Sequence, residues 1–579
     1  MHHSSDGYNE GAERMRYHEV IVVGGGLAGL RAAVEIATEL DTAIISQVPP
    51  VRSHSGAAQG GVNAPMGNNP AGKEDSVEKH TYDTIKGGDF LADQKSVEMM
   101  ISEAAPSIYE LEHWGCPFSR TPEGKIAQRP FGGAGFPRTC FAADKTGLYM
   151  LHTLWERSVA LNVRTYEELF VTDIVFEKDE IVGLITLNMV TGDFEPFMAE
   201  AVIFGTGGAG QIYGRSTNAL ICSGTGQAIA YRRGVPLKDM EFIQFHPTSL
   251  FGTNILMTEG ARGEGGHLID NQGERFMSKY APKAMELGPR DIVARAIQTE
   301  INEGRGFEGG YVHLDLRHLG REKILERLPG IRDIAMNFAG VDPILDPIPI
   351  QPGQHYTMGG IDNDVNGATK IKGFYAAGEC ACVSVHGANR LGGNSLLETV
   401  VMGKLSGRHA KEYVTQKTDR KKGESSVITA IEEQERVREE LLTRNGEENH
   451  AAIRDEMKAS MIENVGIFRE GKVMQAALDK ILELKGQYQN IKIMNKGRKY
   501  NIDYIRAYEL GGMLELAHVI VLGAINREES RGSHYRLDFP KRDDKKFLKH
   551  TLATITKDGP KISYSDVDVS MYEPVERKY

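Results

Sequence analysis

The pattern of hydrophobic and polar positions first indicates a βαβ unit near the beginning of the chain. Residues 17–23 form an apolar run that is typical of a buried strand, and residues 27–40 carry apolar side chains at the spacing of one helix face. A second apolar run at residues 42–46 predicts the next strand. The fold class predicted from this beginning is α/β.

The pattern then changes several times along the chain. Residues 73–112 predict helices, residues 163–202 predict alternating short strands, and the proline-rich residues 343–352 predict an extended segment. A strand that runs into glycines is predicted at residues 202–210, and the same nucleotide-domain character resumes at residues 374–379. This order indicates a domain inserted between the two halves of the first one.

A charged linker is predicted at residues 417–426, and amphipathic helices are predicted after it. These helices carry no catalytic cluster and are interpreted as a scaffold. Short strands or coil are predicted after them, up to Tyr579. Residues 527–544 are unusual because arginines and aspartates gather around Gly532. The apolar positions with near-helical spacing are Val427, Ile431, Val437 and Leu441, then Val473, Ala477, Ile481 and Leu484.

Composition limits the classes of function. A chain of 579 residues predicts several domains, and a net charge of -11 argues against a nucleic-acid binder. No export signal and no apolar stretch of about 18 uncharged residues is evident, so we expect a cytoplasmic protein that could dock on a membrane partner. The five cysteines form no CxxC pattern, so we expect no metal site, haem attachment or disulfide framework. Electrons would have to pass through an organic cofactor.

Gly24, Gly26 and Gly29 fit the pattern G-x-G-x-x-G between the first strand and the first helix. Glycines there let the backbone approach a pyrophosphate, and the helix N-terminus offers unpaired N–H groups to its charge. The second strand ends in Ser46 and Gln47, with no acid to bind a ribose. An acid at this position binds the ribose in NAD sites, so its absence disfavours NAD. FAD would need a different residue to bind its ribose.

One histidine, His54, stands among small residues shortly after this unit. It follows Ser53 and precedes Gly60 and Gly61, which allows its side chain to lie against a bound cofactor. A phosphate contact and a turn residue are the alternative interpretations of this position.

Several motifs together resemble the flavoprotein subunit of succinate dehydrogenase and quinol:fumarate reductase. The resemblance covers residues 17–544. The motifs agree in identity and order and are GGGLAG, RSHSGAAQGG, QRPFGG, QFHPT, TEGARGEGG, PRD, HYTMGG, HGANRLGGNSL and ESRGSHYRLDFPKRDD.

The resemblance implies an FAD-binding Rossmann-like domain with an inserted α+β capping domain, then a helical domain and a small C-terminal domain. The expected boundaries are a disordered tail at 1–16, the FAD-binding domain at 17–246 and 355–416, the capping domain at 247–354, the helical domain at 427–540 and the C-terminal domain at 541–579.

The resemblance also implies that His54 carries FAD through an 8α-methyl linkage, which would raise the flavin potential enough to accept electrons from succinate. At Thr225 the chain departs from a Gly-Asp-Gly pattern of many relatives, so this contact is weakened or replaced. The other implied FAD contacts are Gly24, Gly26, Gly29, Ser46, Ser53, Gly60, Gly61, Glu379, Ser395 and Leu396.

For the substrate, the resemblance implies a C4 dicarboxylate, either succinate or fumarate. Two carboxylates need two sets of donors, which are His246 and Thr258 at one end and His355 and Arg390 at the other. Arg390 can bind a carboxylate through two parallel N–H bonds. Phe131 is expected to lie against the substrate and exclude water.

Three further residues are implied in proton transfer. Arg290 matches the proton donor and acceptor of the family, although an arginine stays protonated in water. A relay through Glu259 and Arg262 would resolve this difficulty. The alternative is that Glu259 and Arg262 form an ion pair that steadies the turn.

Two related enzymes compete with this interpretation. L-aspartate oxidase holds FAD noncovalently, which His54 argues against, and soluble fumarate reductases often carry haem domains, whose CxxCH pattern is missing here. A flavin-bound assembly subunit without turnover would not need all of the substrate-binding residues. The resemblance further implies an iron-sulfur subunit and a membrane anchor with a quinone site as partners, on the cytoplasmic face of the inner membrane. The direction of the reaction stays open.

Overall fold

The computed structural model describes residues 15–420 and 423–578. The predicted tail at residues 1–16 lies outside this range except for Met15 and Arg16. Arg16 already belongs to the first strand, Arg16–Val23, so the tail prediction extends one residue too far.

Residues 15–420 and 423–578 contain nineteen strands, numbered in chain order. They are β1 (Arg16–Val23), β2 (Thr42–Ser46), β3 (Val62–Asn63), β4 (Gln128–Arg129), β5 (Thr139–Cys140), β6 (Arg164–Glu167), β7 (Leu169–Glu177), β8 (Glu180–Asn188), β9 (Phe194–Phe204), β10 (Leu237–Lys238), β11 (Ile243–Leu250), β12 (His267–Ile269), β13 (Val312–Asp315), β14 (Ile348–Thr357), β15 (Gly360–Asp362), β16 (Phe374–Ala376), β17 (Ala381–Cys382), β18 (Lys549–Thr556) and β19 (Gly559–Asp566).

Helices fill the spaces between these strands. The α-helices are Leu27–Ile36, Val77–Gly87, Gln94–Ser102, Ala104–His113, Thr146–Ala160, Thr225–Arg232, Glu259–Gly263, Met277–Tyr280, Arg290–Asn302, Arg321–Arg327, Pro329–Ala339, Asn394–Gln416, Glu424–Thr443, His450–Asn464, Gly471–Tyr488, Ile502–Asn526 and Asp544–Phe547.

The nucleotide-binding beginning forms a seven-stranded sheet in the order β6-β2-β1-β9-β8-β7, with β16 also paired to β9. Strand β1 pairs in parallel with β2 and β9, and its residues 20–23 are buried. Parallel strands covered on both faces need such continuous apolar runs. The helices Leu27–Ile36 and Asn394–Gln416 pack together against this sheet, which confirms an α/β fold.

Element lengths differ from the sequence-based expectation in several places. The first helix ends at Ile36 rather than at the expected residue 40, because residues 37–39 form a turn. The region 163–202 holds strands of up to eleven residues, because β7, β8 and β9 form an antiparallel meander instead of short separate strands. Part of the expected linker at 417–426 is helical, since a helix begins at Glu424.

The inserted region forms a second sheet in the order β11-β14-β13-β12. Strand β11 contains His246, and the paired strand β14 contains His355. The expected domain boundaries at residues 246 and 354 therefore fall inside two paired strands. Strands β11 and β14 each continue from the FAD-binding part into the insertion. Their pairing brings His246 and His355 together.

Four long helices follow residue 423, in agreement with a helical scaffold. Ala477, Ile481 and Leu484 are buried as expected, but Val473 is 37% exposed and the neighbouring Met474 is buried in its place. The helix Ile502–Asn526 is long and apolar enough to cross a membrane, although 83% of its most apolar window is buried inside the protein. This burial is that of a core helix.

The end of the chain does not stand apart from the rest. Strands β18 and β19 form a hairpin, and β18 pairs with β10, so the sheet runs in the order β17-β15-β10-β18-β19. The first part of the basic and acidic cluster at 527–544 is buried beside it, where Arg527 and Arg531 both pair with Glu529. Strands β18 and β19 thus complete a sheet whose strand β10 lies far earlier in the chain, at Leu237–Lys238.

Candidate active site

A cavity of about 810 Å³ lies between the seven-stranded sheet and the inserted sheet. It is continuous from the first glycine turn to the paired strands that carry His246 and His355. Its volume lies within the range of pockets that bind cofactors and small molecules. No group of three or more His, Cys, Asp or Glu side chains that could hold a metal ion occurs within residues 15–420 and 423–578.

Glycines shape the end of the cavity beside the sheet. Gly24 has φ +108°, and a Cβ there would lie 2.3 Å from Gly205 O; a Cβ on Gly29 would lie 1.9 Å from Gly24 O. The helices that begin at Leu27 and Asn394 have no side-chain cap, and both N-termini border the cavity. Leu27 N–H donates to Ser55 Oγ and Asn394 N–H to Leu391 O, both at 3.2 Å. The N–H groups that follow in each first turn, beside bare glycine backbone, suit the phosphates and polar ring edges of a dinucleotide.

His54 lies at the wall of this same cavity, at the start of the short helix His54–Ala57. Its Nδ1 accepts a hydrogen bond from the backbone N–H of Ala219 at 3.3 Å, and its Nε2 lies 3.2 Å from Asn218 Nδ2. Burial lowers the pKa of His54 to about 4, so the imidazole is neutral at neutral pH.

Two histidines face each other at the other end of the cavity. The rings of His246 and His355 are 4.9 Å apart. His246 Nδ1 lies 3.2 Å from both the backbone N and the backbone O of Thr248, and its Nε2 is buried without a hydrogen-bond partner. Burial and Arg290 lower the pKa of both histidines well below the usual value. They are neutral donors, and a ligand that accepts hydrogen bonds would satisfy the buried Nε2.

Arg390 and Arg290 meet over one glutamine. Gln244 Oε1 accepts from Arg390 Nη2 at 2.9 Å and from Arg290 Nη1 at 3.1 Å. Arg390 lies over the Tyr356 ring, and its Nε is buried without a partner. Burial and Arg290 lower the pKa of Arg390 to about 9. Two buried guanidinium groups this close form a site for an anion.

The helix Glu259–Gly263 supplies the groups on the far side of Arg290. Glu259 Oε2 accepts from Arg290 Nε at 2.7 Å, and Glu259 Oε1 accepts from the backbone N–H of Gly132 at 2.7 Å. Arg262 Nη2 is 3.8 Å from Glu259 Oε1, which is an ion pair but not a hydrogen bond. Although burial favours the neutral acid, Arg290 and Arg262 lower the pKa of Glu259 below its usual value.

Thr258 and Phe131 close the site. Thr258 is the N-cap of the same short helix, where its Oγ1 accepts from the backbone N–H of Gly260, so the hydroxyl hydrogen stays free to donate. Phe131 is 3% exposed. A Cβ on Gly60 would lie 2.6 Å from the Phe131 ring, so this glycine lets the ring cover the cavity.

Comparison with protein families gives two matches. A model described as an FAD binding domain matches residues 19–396, and a model described as fumarate reductase flavoprotein C-term matches residues 454–579. The chain is 44% identical over 584 residues to a fumarate reductase flavoprotein subunit of Mycobacterium tuberculosis, covering 97% of this chain and 99% of that one. A succinate dehydrogenase flavoprotein subunit of Rickettsia conorii is 43% identical, with 97% and 98% covered.

The chain belongs to the fumarate reductase and succinate dehydrogenase flavoprotein family. A solved structure of Escherichia coli quinol fumarate reductase agrees in fold over 97% of this chain and 99% of that chain, with a TM-score of 0.94 and 42% identity. A quinol-fumarate reductase with menaquinol molecules gives a TM-score of 0.92 at 42% identity, with 97% and 100% covered. The cofactor class of the family model is FAD, and the glycine turn and uncapped helices described above suit it.

Nearly all of the residues singled out from the sequence border the cavity of this family member. Gly29 and Arg262 do not: Gly29 permits the close turn at Gly24, and Arg262 stands behind Glu259. The residues at the cavity are His54, Gly24, Gly26, Ser46, Ser53, Gly60, Gly61, Thr225, Glu379, Ser395, Leu396, Phe131, His246, Thr258, Glu259, Arg290, His355 and Arg390.

Two of these cofactor-side residues have notable surroundings. Thr225 opens the helix Thr225–Arg232, and its Oγ1 lies 2.9 Å from Ser223 Oγ. Glu379 Oε1 accepts from the backbone N–H of Thr357, and burial raises the pKa of its carboxyl group to about 8. A carboxyl group that holds its proton near neutral pH can donate as well as accept a hydrogen bond.

Sequence reasoning missed three residues that connect the site. The QFHPT motif contains Gln244 but indicates no role for it, and no motif in the sequence points to Thr217 or Asn218. Thr217 Oγ1 is 2.8 Å from His355 Nδ1, and Asn218 donates to His355 O at 2.9 Å. Gln244 could have been found from its place two residues before His246, since alternate strand residues share a face.

Proposed function

We propose that this chain is the catalytic flavoprotein subunit of an enzyme that interconverts succinate and fumarate. The observation that carries the proposal is the juxtaposition of two unpartnered buried nitrogens, His246 Nε2 and Arg390 Nε, with a glycine cradle suited to FAD in one cavity. Succinate must lose one hydrogen as a hydride and one as a proton, and fumarate must gain both. When bound, FAD supplies the hydride acceptor or donor.

The two ends of the cavity wall would hold the two carboxylates. Thr258 and the Nε2–H of His246 would donate to one, and Arg390 and His355 would donate to the other. The charge states of His246 and His355 support these roles: both have a pKa well below neutral pH, so both rings are neutral. Phe131 would cover the dicarboxylate and exclude water, which strengthens each of these hydrogen bonds.

Arg290 would give the proton to the dicarboxylate carbon, or take it in the reverse direction. Its Nε is bonded to Glu259 and its Nη1 to Gln244, which leaves Nη2 without a partner among the described residues. Glu259 would restore the proton at Nε, and Arg262 would exchange it onward. The 3.8 Å separation between Glu259 and Arg262 means that this second step needs a small movement or a bridging water.

We further propose that His54 Nε2 is the atom covalently attached to FAD. Because Nδ1 accepts from Ala219, the neutral ring carries its hydrogen at Nε2, directed at a side chain that itself donates, Asn218 Nδ2. Attachment at Nε2 would replace that hydrogen, which leaves as a proton, while the proton and two electrons of the broken 8α-methyl C–H bond would pass into the flavin ring. The two donors would then no longer face each other. A covalent bond at this atom also preserves the hydrogen bond to Ala219.

The electrons would pass to an iron-sulfur subunit and a membrane anchor with a quinone site, at the cytoplasmic face of the inner membrane. The names of the similar structures support this arrangement, since they are quinol-fumarate reductases and one contains menaquinol molecules.

An anaerobic titration tests the proposed reaction. Flavin absorbance of the purified protein should bleach with succinate and recover with fumarate, and L-aspartate in a separate cuvette should have no effect. Bleaching by L-aspartate alone would instead identify an oxidase of that amino acid. A denaturing gel viewed under ultraviolet light tests the attachment, since flavin fluorescence should stay with the chain and should be lost in His54→Ser.

A further inference from the structure

One short segment, residues 217–219, contacts two of the three histidines that the proposed function uses, His54 and His355. Thr217 Oγ1 lies 2.8 Å from His355 Nδ1, and the backbone N–H of Ala219 lies 3.3 Å from His54 Nδ1. Between them, Asn218 Nδ2 donates to the backbone oxygen of His355 at 2.9 Å and lies 3.2 Å from His54 Nε2. Three consecutive residues therefore touch the cofactor side and the substrate side of the cavity.

The contact of Thr217 determines what His355 can do. A neutral imidazole carries one hydrogen, and it can donate to a carboxylate through Nε2 only if Nδ1 is the acceptor. The Thr217 hydroxyl can donate to Nδ1, and at 2.8 Å this bond is shorter than its alternative at 3.3 Å to Gln354 O. Donation from the Thr217 hydroxyl to Nδ1 would select the form of His355 whose Nε2 donates.

Asn218 is buried and is anchored from several directions. Its backbone N–H donates to Ser216 Oγ at 3.1 Å, and its backbone oxygen accepts from Gln211 Nε2 at 2.7 Å. A Cβ on Gly210 would lie 2.0 Å from Asn218 Oδ1, so a bare glycine makes room for the amide. A side chain packed this closely has little freedom, and its contacts with His54 and His355 hold their separation constant.

We propose that residues 217–219 are a positioning segment that fixes the ring orientation and hydrogen placement of His54 and His355 together. FAD attached to one histidine and a dicarboxylate bound by the other would then be held at a fixed separation. This inference rests on the proposed function of the same cavity. Its consequence is that changes in the segment alter dicarboxylate affinity and flavin attachment through the two histidines.

The first test concerns Thr217 and uses a conservative control. Thr217→Val keeps the shape of the side chain and removes the hydroxyl, so KM for fumarate should rise about tenfold, as expected for one lost hydrogen bond, while kcat changes less. Thr217→Ser keeps the hydroxyl and should restore the wild-type KM. The fluorescent flavin on a denaturing gel should be the same in all three proteins.

The second test concerns Asn218. Asn218→Leu keeps a similar volume and removes both amide contacts, so covalent flavin should fall relative to total flavin and KM for fumarate should rise. Melting temperature and total FAD content show whether this variant is folded. If Asn218→Leu does not fold, the smaller Asn218→Ser supplies the same measurements.

Two outcomes would overturn the inference while leaving the proposed function intact. One is a Thr217→Val enzyme with wild-type KM, and the other is a folded Asn218 variant with wild-type covalent flavin. A third outcome concerns the proposed function itself: wild-type protein that holds no covalent flavin and does not bleach with succinate. Measuring wild-type protein first separates this failure from the other two.

Discussion

Arg290 donates a hydrogen bond through Nε to Glu259 Oε2 at 2.7 Å, and both side chains are at least nine-tenths buried. A carboxylate so placed keeps its negative charge although burial opposes it, because the neighbouring arginines lower its pKa. One proton can therefore pass between Arg290 and Glu259 along this hydrogen bond without a rearrangement of the site. Its position at the cavity wall makes it the first place to test the proposed chemistry.

Replacing Glu259 by glutamine should slow proton transfer. Glu259→Gln keeps the size of the side chain and removes the proton acceptor, so kcat for fumarate reduction should fall at least about a hundredfold, the usual minimum for a lost acid–base group. The dissociation constant for fumarate, followed by the flavin absorbance, should change much less. Steady-state kinetics and that titration measure the two quantities.

Glu264→Gln is a matched control for this change. Glu264 lies at the end of the same short helix and pairs with Lys323 and Arg327 outside the cavity. This variant should keep the wild-type kcat. A Glu259→Gln enzyme with equally unaltered kcat would leave Glu259 only the role of an ion-pair partner that steadies the turn.

Affinity for the dicarboxylate should depend on pH through Arg390. The cation binds a carboxylate, and burial with Arg290 lowers the pKa of this guanidinium to about 9. Fumarate affinity should therefore be greatest below that pKa and should decline up to about tenfold per pH unit above it. Equilibrium titrations of the oxidised protein from pH 7 to about pH 10.5 would measure this decline.

Glu379 needs a separate control, because its carboxyl group has a pKa of about 8 and loses its proton in the same range. The variant Glu379→Gln should retain the decline attributed to Arg390. Arg390→Lys should bind fumarate more weakly at every pH, since an ammonium group cannot form the two parallel bonds. Affinity that stays constant up to the highest pH would contradict a lowered pKa for Arg390.

The sequence predicts the glycine turn well because its chemistry is local. Gly24 and Gly29 meet within one turn of chain, so spacing alone indicates their contact. The contact between Gln244 and Arg390 spans 146 residues, and that between Thr217 and His355 spans 138. Spacing carries no information about contacts between residues so far apart in sequence.

The same reason explains the differences in the fold. The expected boundaries at residues 246 and 354 follow changes of composition, whereas β11 and β14 continue through them as one paired ladder. Residues 541–579 look like a separate end, but strand β18 completes its hydrogen bonds on β10. The backbone N–H and C=O groups at a strand edge need hydrogen-bond partners, and the local sequence pattern does not show which strand provides them.

The glycine turn predicts a sharp effect on FAD binding. Gly24→Ala places a methyl group 2.3 Å from Gly205 O at a φ of +108°, a conformation that costs a residue with a side chain about 1–3 kcal/mol before any clash. The turn must shift, so flavin content per chain should fall strongly. The ratio of flavin to protein absorbance after gel filtration measures it.

Gly486→Ala is the matched control for a glycine replaced by alanine. Gly486 lies in the helix Gly471–Tyr488, and a Cβ there would meet nothing within 4 Å. Flavin content should be unchanged, and the free energy of unfolding should increase by about 0.5–1 kcal/mol because alanine favours the helix. Full flavin content in Gly24→Ala would mean that the turn does not bind the cofactor closely.

The last prediction concerns the junction between the C-terminal hairpin and the body of the protein. His550 on β18 bonds through Nδ1 to Asp239 Oδ2 at 2.7 Å and through Nε2 to Asp93 Oδ1 at 3.2 Å. Although burial lowers it, these two carboxylates raise the pKa of His550 to about 9. The charged histidine then holds together three segments distant in sequence.

The sign of the pH effect follows from this raised pKa. The stabilisation is fully present below the unfolded-state pKa of about 6.5 and is lost as the pH rises through about 9, to a limit of about 3 kcal/mol. Unfolding in denaturant should show a falling free energy over that window. His550→Gln should flatten the slope, whereas His152→Gln, which removes an exposed histidine, should leave it intact. An unchanged slope in His550→Gln would assign the alkaline loss of stability to other groups.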